Sequence, residues 1–394
     1  MCVRKKPAYS SKPIGSLDAL SRALNVDARL LRSISDRISS LYYKFTVQKK
    51  DGTDRYVVSP NRDLKFLQKR INRQIFSKVV YPDYLYGGIA ERDYVKNALA
   101  HKNAKALIAL DVKNFYPSIS KGKVKLLFQR FFNFPVDVAE SLAQICTLNG
   151  EVPQGACTSS HIANLIFYDS EPTLAEHLMS RGYVYTRLLD DICISNPRGD
   201  FSKDTISDII KRVRAMLLKE GMKLKEEKTR ITRRSNPENL MEVTGLWLNR
   251  GLPRIKSNEC RDIRKEFREL RAIFNISREG EGYYKKFNRV SGRVAKLAHL
   301  KHNKARKYRE ELKSMLPHLS ASEALRLRYQ VKGLLKTKIE HRCRLEYIEK
   351  YGKIKFRVYI LKRSNPEVAQ DLLATLARCV PTRTRDDIIY GEAQ

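Results

Sequence analysis

The chain has 394 residues, with 77 Lys plus Arg against 43 Asp plus Glu and a formal net charge of +34. A hydrophobic content of 42% excludes wholesale disorder, and no stretch approaches the roughly 18 uninterrupted apolar residues of a membrane-spanning helix. What remains is a folded protein of two or three domains. Its first candidate partner is nucleic acid, because phosphate neutralisation drives such binding; a membrane surface is second. The first residues, Met1 to Pro7, lack the apolar run of a signal peptide. The seven cysteines (Cys2, Cys146, Cys157, Cys193, Cys260, Cys343 and Cys379) are dispersed without a CxxC pair. They read as reduced thiols of a cytosolic protein, not as a disulfide frame or zinc site.

Residues 16–40 read as two short helices, the first beginning at Ser16 and the second carrying Leu30, Leu31, Ile34, Ile38 and Leu41 at helical spacing. Alternating runs at Tyr43 to Gln48 and Arg55 to Pro60 flank Asp51-Gly52 and predict a hairpin. Lys49, Lys50 and Arg55 make it either a solvated tip or a cationic flap over a triphosphate. Phe66 to Ile75 and Tyr94 to His101 read as helices, and Gly87-Gly88 as a break between them. Ala104 to Val112 is an apolar run suited to a buried strand, with Asp111 at its end before Phe115-Tyr116-Pro117. Helices are expected around Val124 to Phe131 and Val136 to Thr147. Val152-Pro-Gln154-Gly155 is a turn before a helical stretch from Ser159 to Met179, its glycine allowing close backbone approach to a flat ligand.

Tyr185 to Ser195 then sets two β-leaning runs around Asp190 and Asp191, a strand–turn–strand with both carboxylates at the tip. Either this is an ordinary polar turn or the mutual repulsion of the pair is relieved by a divalent cation, magnesium being the best match. An amphipathic helix follows and ends at Gly221. A short strand lies near Lys228-Thr229, and Val243 to Asn249 reads as a further hairpin. Beyond Pro253 come basic helices, at Ile263 to Phe274, at Lys304 to Leu316, from a capping box at Ser320/Glu323 to about Tyr351, and from Asn365 through Leu376. A central antiparallel sheet would bring Asp111 beside Asp190 and Asp191, where three carboxylates could hold two magnesium ions for phosphoryl transfer.

Together these stretches resemble a reverse transcriptase, specifically the bacterial retron type. Asp111 to Ile119 is similar to the family's first metal motif. Val152-Pro-Gln-Gly155 resembles its template- and nucleotide-facing turn. Leu188-Leu-Asp-Asp191 stands where the family has an aromatic-x-Asp-Asp signature, and Gly221 to Thr229 resembles its lysine motif. Asn97-Ala-Leu-Ala-His101 resembles the retron Asn-Ala-x-x-His insertion, and Val243-Thr244-Gly245 the retron Val-Thr-Gly motif. Leu188 in place of an aromatic, Cys157 and Ser160 in place of prolines, and Lys225 in place of Asn depart from the pattern.

The resemblance implies an α+β right-hand polymerase fold. It divides the chain into an N-terminal helical segment (1–42), fingers (43–105, continued by 118–150), a palm (106–252), a basic helical thumb (253–316) and a helical C-terminal extension (317–394). It implies Asp111, Asp190 and Asp191 as metal carboxylates for two Mg²⁺ ions. Tyr116 would be the steric gate against ribonucleotides. Gln154, Gly155, Lys228, Arg55 and Lys50 would lie near the nucleotide, and Asn97, His101, Val243, Thr244 and Gly245 would serve RNA binding. The implied activity is RNA-directed DNA synthesis in the cytoplasm on a structured noncoding RNA, without a membrane. Synthesis would start from a guanosine 2′-hydroxyl and leave a branched RNA–DNA (msDNA), in an antiviral system with an effector protein. Alternatives are a group II intron-like or diversity-generating reverse transcriptase, and a catalytically silent RNA-binding scaffold of the same fold.

Overall fold

The structure, a computed structural model, describes residues 6–48, 52, 54–236 and 238–391; of Arg55 and Tyr56 it describes the backbone, and Lys50 lies outside the described residues. The chain divides into two compact units, Met1–Pro253 and Arg254–Gln394.

In the first unit, β1 (Ala8–Tyr9) precedes α1 (Leu17–Leu24) and α2 (Ala28–Asp36). Ser16 and Asp27 cap these helices by accepting backbone N–H bonds. The second ends earlier than the leucine spacing suggests: Ile38 lies in a separate 3₁₀ turn, and Leu30 is exposed. β2 (Tyr42–Gln48) and β3 (Asp54–Pro60) form the expected ribbon, Tyr42 opposite Pro60. α3 (Arg62–Gln74) starts ahead of Phe66 because the Asn61 side chain accepts from the Leu64 N–H. There follow β4 (Val79–Val80), β5 (Leu85–Tyr86), α4 (Tyr94–Ala100), β6 (Ala106–Asp111), α5 (Lys121–Arg130) and α6 (Val136–Cys146). The single helix expected over 159–179 is two, α7 (Ser159–Leu165) and α8 (Glu171–Ser180). Pro172 forces the division, since proline fits only the first turn of a helix. β7 (Val184–Leu188), β8 (Asp191–Asn196), α9 (Lys203–Lys219), β9 (Arg230–Arg233), β10 (Glu242–Val243) and β11 (Leu246–Trp247) complete the unit.

The central sheet has the order β5-β7-β8-β6-β9, antiparallel except for β5 beside β7. One continuous core, including Leu64, Ile108, Phe128, Leu142, Ile192 and Val213, joins the sheet to the helices. Lys228 belongs to a 3₁₀ turn, Glu226–Lys228, and not to a strand.

The Gln154-Gly155 turn rests on the β2–β3 ribbon. The Val58 N–H donates to the Gln154 carbonyl at 3.4 Å. Gly155 has φ +126°, and a Cβ there would collide with the Val58 carbonyl oxygen. The close approach this glycine permits is thus to its own chain.

The second unit is helical: α10 (Ser257–Ile276), α11 (Gly280–His299), α12 (Ala305–Ser314), α13 (Ala321–Leu335), α14 (Leu345–Leu361), α15 (Pro366–Ala377) and α16 (Arg385–Tyr390). α11 was not expected. Its buried residues Tyr283, Phe287, Val290, Val294 and Leu297 keep helical spacing, behind glycines at its start. Ser320 and Glu323 do form a capping box, but the helix stops at Leu335 instead of reaching Tyr351. Tyr347 and Tyr351 belong to α14, where their hydroxyls donate to the carbonyls of Cys379 and Leu376. Two buried clusters divide the unit, one around Phe267, Phe287 and Leu312 and one around Leu327, Val358 and Leu376. Among the described residues no helix is long and apolar enough to cross a membrane.

Gly155→Ala is expected to lower unfolding stability by at least about 2 kcal/mol, through overpacking and a left-handed backbone. Denaturant titration of the variant against the native chain measures it.

Candidate active site at the end of the central sheet

Strand pairing places the carboxylates. β6 and β8 run antiparallel with Asp111 directly opposite Asp191, and Leu188 lies opposite Asp191 on the other side. Side chains alternate faces along a strand, so Ala109, Asp111, Leu188, Asp191, Cys193 and, across from Ala109, Arg230 share one face. That face floors a cleft of about 650 Å³, whose walls include Tyr94, Glu227, Lys228, Glu242, Thr244 and Gly245.

The tip of the hairpin differs from the expectation in one respect. Its two central residues are Leu189 and Asp190, while Asp191 begins β8. Leu189 carries φ +58°, the sign that the first central position of a II′ hairpin turn demands and that a leucine rarely adopts.

Lys228 reaches the same point from the segment after α9. That segment is laced to β6: Lys113 N–H donates to the Lys223 carbonyl at 2.9 Å, and Lys225 N–H to the Asp111 carbonyl at 2.8 Å. Lys228 Nζ then donates to Asp111 Oδ2 at 2.7 Å, and this bond raises the lysine's pKa above its ordinary value. Asp191 is pushed up to about 6, first by burial and then by the negative charges of Asp190 and Asp111.

Carboxylates that repel one another at close quarters offer the hard oxygen donors that a divalent cation takes. As the side chains are placed, no three Asp, Glu, His or Cys groups among the described residues converge as a metal site. Asp111 and Asp191 line the cleft, and Asp190 stands next to them in the turn.

The remaining expected residues separate into three groups. Thr244 and Gly245 are in the cleft wall, at the turn between β10 and β11 with φ values of +48° and +83°. Val243 is buried. Asn97 and His101, expected at RNA, are fully buried, so their side chains meet protein and not a ligand. His101 packs on the cleft-facing side of the hairpin, Nδ1 2.7 Å from Ser195 Oγ and Nε2 2.8 Å from Thr186 Oγ1. Among the described residues the Asn97 amide has no hydrogen-bond partner at either polar atom. The Val243–Gly245 turn nevertheless touches the helix that carries the other motif, since the Thr244 hydroxyl donates to the carbonyl of Tyr94 at the start of α4 at 3.1 Å.

Tyr116, Gln154 and Gly155 are not among the residues lining this cleft. Tyr116 is half-buried against Phe115, their ring centroids 5.7 Å apart. The side chain of Arg55, like Lys50, is outside the described residues. Tyr94, Glu227, Arg230 and Glu242 were missed by sequence reasoning. Arg230 alone left a signal, two residues after the lysine on a strand bordering Asp111's own.

Comparison with known proteins decides the family. Residues 47–261 match the family described as Reverse transcriptase (RNA-dependent DNA polymerase). The chain is 35% identical over 379 residues to the retron Se72 reverse transcriptase of Salmonella heidelberg, covering 96% of this chain and 100% of that one. The chain belongs to the retron reverse transcriptases. This reverse transcriptase is also 31% identical to the retron Ec48 reverse transcriptase of Escherichia coli, over 91% of each chain. Among solved structures, telomerase from Candida albicans in complex with a TWJ fragment of telomeric RNA aligns with 89% of the enzyme and 67% of its own chain, at 10% identity and a TM-score of 0.38. The enzyme is thus an RNA-directed DNA polymerase of α+β right-hand polymerase fold, a nucleotidyltransferase that takes an RNA template and deoxynucleoside triphosphates.

His101 gives this enzyme an acid-sensitive brace. Burial pushes its pKa down to about 3 from 6.5, so the folded state holds the ring neutral. The unfolded chain binds the extra proton as pH falls below 6.5, and stability is lost from there toward pH 3. The slope from this one group is at most about 1.4 kcal/mol per pH unit. Thermal melting of His101→Gln between pH 7 and 4 should show a shallower fall than the native chain.

Proposed function

We propose that Asp111, Asp190 and Asp191 are the metal carboxylates of this reverse transcriptase and that it works with two Mg²⁺ ions. The observation that carries this reading is the register that sets Asp111 opposite Asp191, with Lys228 bonded to Asp111 in the same cleft. When bound, the cations would lower the pKa of the attacking sugar hydroxyl and neutralise charge on the leaving pyrophosphate. Asp111 and Asp191 would hold them from opposite strands, Asp190 from the turn. Lys228 has a half-exposed ammonium at the cleft and would turn from Asp111 toward triphosphate oxygens. Tyr116, in the turn after β6, would press on the sugar and reject a 2′-hydroxyl. The Gln154-Gly155 turn, braced on the β2–β3 ribbon, would present backbone and amide to the nucleotide or template, and Arg55 and Lys50 would contact the nucleotide.

In the same reading residues 43–105 serve as fingers, with 118–150 continuing fingers and palm, 106–252 as palm and 253–316 as thumb. The segment 317–394 would dock RNA or a partner. The template is a structured noncoding RNA of the same locus, and synthesis starts from a guanosine 2′-hydroxyl to give branched RNA–DNA. The enzyme acts in the cytoplasm, in antiviral defence, beside an effector protein. Support for these finer points is the resemblance of the Asn97–His101 and Val243–Gly245 segments to retron motifs, and the names of the relatives.

Primer extension on an RNA template with Mg²⁺ should fall about a hundredfold or more for Asp191→Asn. Equal incorporation by variant and native chain would end the carboxylate assignment. Tyr116→Ala should admit ribonucleotides, with discrimination measured as the ratio of kcat/KM for dNTP and rNTP; an unchanged ratio removes the gate from Tyr116. Nucleic acid copurifying with the expressed locus should include an RNA–DNA hybrid sensitive to debranching enzyme, and a strictly linear product would refute priming from the 2′-hydroxyl.

A further inference from the structure

Behind the hairpin, on the face away from the cleft, lies a charged group that the mechanism above does not use. Arg187 is on β7, and its side chain is fully buried. Its five N–H donors are all placed. Nε donates to Glu171 Oε1 at 2.6 Å and Nη2 to Glu171 Oε2 at 2.7 Å. Nη2 also donates to the Asn164 carbonyl at 2.9 Å, and Nη1 to the Ala163 carbonyl at 3.2 Å. The last bond runs from Nη1 to the carbonyl of Leu189 at 3.1 Å. The Tyr185 hydroxyl donates to Glu171 Oε1 at 2.7 Å, and the guanidinium lies over the Phe167 ring at 5.1 Å.

Four of those five donors tie β7 to α7 and α8, which any structural ion pair could do. The fifth is different, because it ends on a residue whose backbone sits at a positive φ that leucine rarely adopts. Leu189 is held at φ +58° between the strand and the two aspartates. A leucine left to itself leaves that region, and doing so rotates the peptide that leads into Asp190. A second contact closes the same turn from the other side. Asn164, which accepts from Arg187, donates from Nδ2 to the Gly87 carbonyl at 2.7 Å. Gly87 is so close to the hairpin that a Cβ there would stand 3.1 Å from Leu189 Cγ and 3.2 Å from Leu188 Cγ.

We propose that Arg187 is a positioning residue for nucleotidyl transfer: its bond to the Leu189 carbonyl clamps the turn in its left-handed conformation and so sets the carboxylates of Asp190 and Asp191. The inference rests on the reading of those aspartates as the reaction centre.

Arg187→Lys separates holding the fold from holding the turn. An ammonium keeps the charge opposite Glu171 but, with three donors at one point, cannot span the guanidinium's five bonds. The full-length variant should melt cooperatively and bind RNA, while kcat for primer extension falls about tenfold and the KM for dNTP stays within about twofold. Leu189→Gly supplies the readout that a merely structural role would not move. Glycine occupies positive φ at no steric cost, so in the Arg187→Lys background it should recover most of the lost kcat, whereas in the native background it gives no gain.

A folded Arg187→Lys enzyme with native kcat overturns the proposal, as does an equal loss with Leu or Gly at position 189. A Glu171→Leu/Arg187→Met double variant covers the case in which lysine fails to fold. It removes the ion pair as a unit, and it should fold and show the same kcat loss. If it extends primers at the native rate, the clamp has no catalytic part. Asp191→Asn run alongside tests the underlying assignment separately, because full activity there removes the aspartates and leaves the Arg187 measurement standing as it is.

Discussion

The first unit depends on one pairing, the antiparallel register that sets β6 against β8 with Asp111 facing Asp191. A slip of a single residue would turn Asp191 to the opposite face and remove it from the cleft. Like charges on neighbouring strand ends work against that register; burial first, and then the charges of Asp190 and Asp111, push the Asp191 pKa up to about 6. The apolar remainder of both strands outweighs the repulsion. Leu107, Ile108, Leu110, Ile192 and Ile194 are buried in the sheet, each worth about 1.5–3 kcal/mol relative to exposure. Function thus sits where folding alone would not put it, on strands stable enough to tolerate acids at their ends.

The hairpin that carries the aspartates is braced by polar groups on both faces. On the cleft side, His101 from α4 bridges Thr186 of β7 and Ser195 of β8. On the other, Arg187 and Tyr185 converge on Glu171 at the start of α8. Apolar packing would have held these strands equally well but less specifically, since methyl groups slide and hydrogen bonds have directions. Removing one partner of a buried pair such as Arg187–Glu171 costs about 3–5 kcal/mol, because the other charge is then stranded.

Much of this was legible in the chain. Caps at Ser16, Ser320 and Asn365, the two alternating runs that pair as β2 and β3, and the apolar run ending at Asp111 each obey local rules, and each element starts where those rules put it. What was hidden depended on contacts far along the chain. Arg187 reads as an interruption in a β-leaning run until Glu171 is seen beneath it. Asn97 and His101 read as available polar groups, and only the packing of α4 on the hairpin shows them sealed. The twenty-residue α11 was obscured by Gly280 and Gly282, which weaken helical propensity just where its first turn begins. The break between α13 and α14 bears neither glycine nor proline, and it exists because the tyrosines beyond it must reach the end of α15.

The bond between the Thr244 hydroxyl and the Tyr94 carbonyl joins segments 150 positions apart, just above the carboxylates. Its acceptor belongs to the main chain, which every residue at position 94 supplies, so the tie answers to the hydroxyl alone. A chimera that keeps a threonine or serine at that corner should retain the link whichever version of the α4 segment it carries, and loss of the hydroxyl would release both at once.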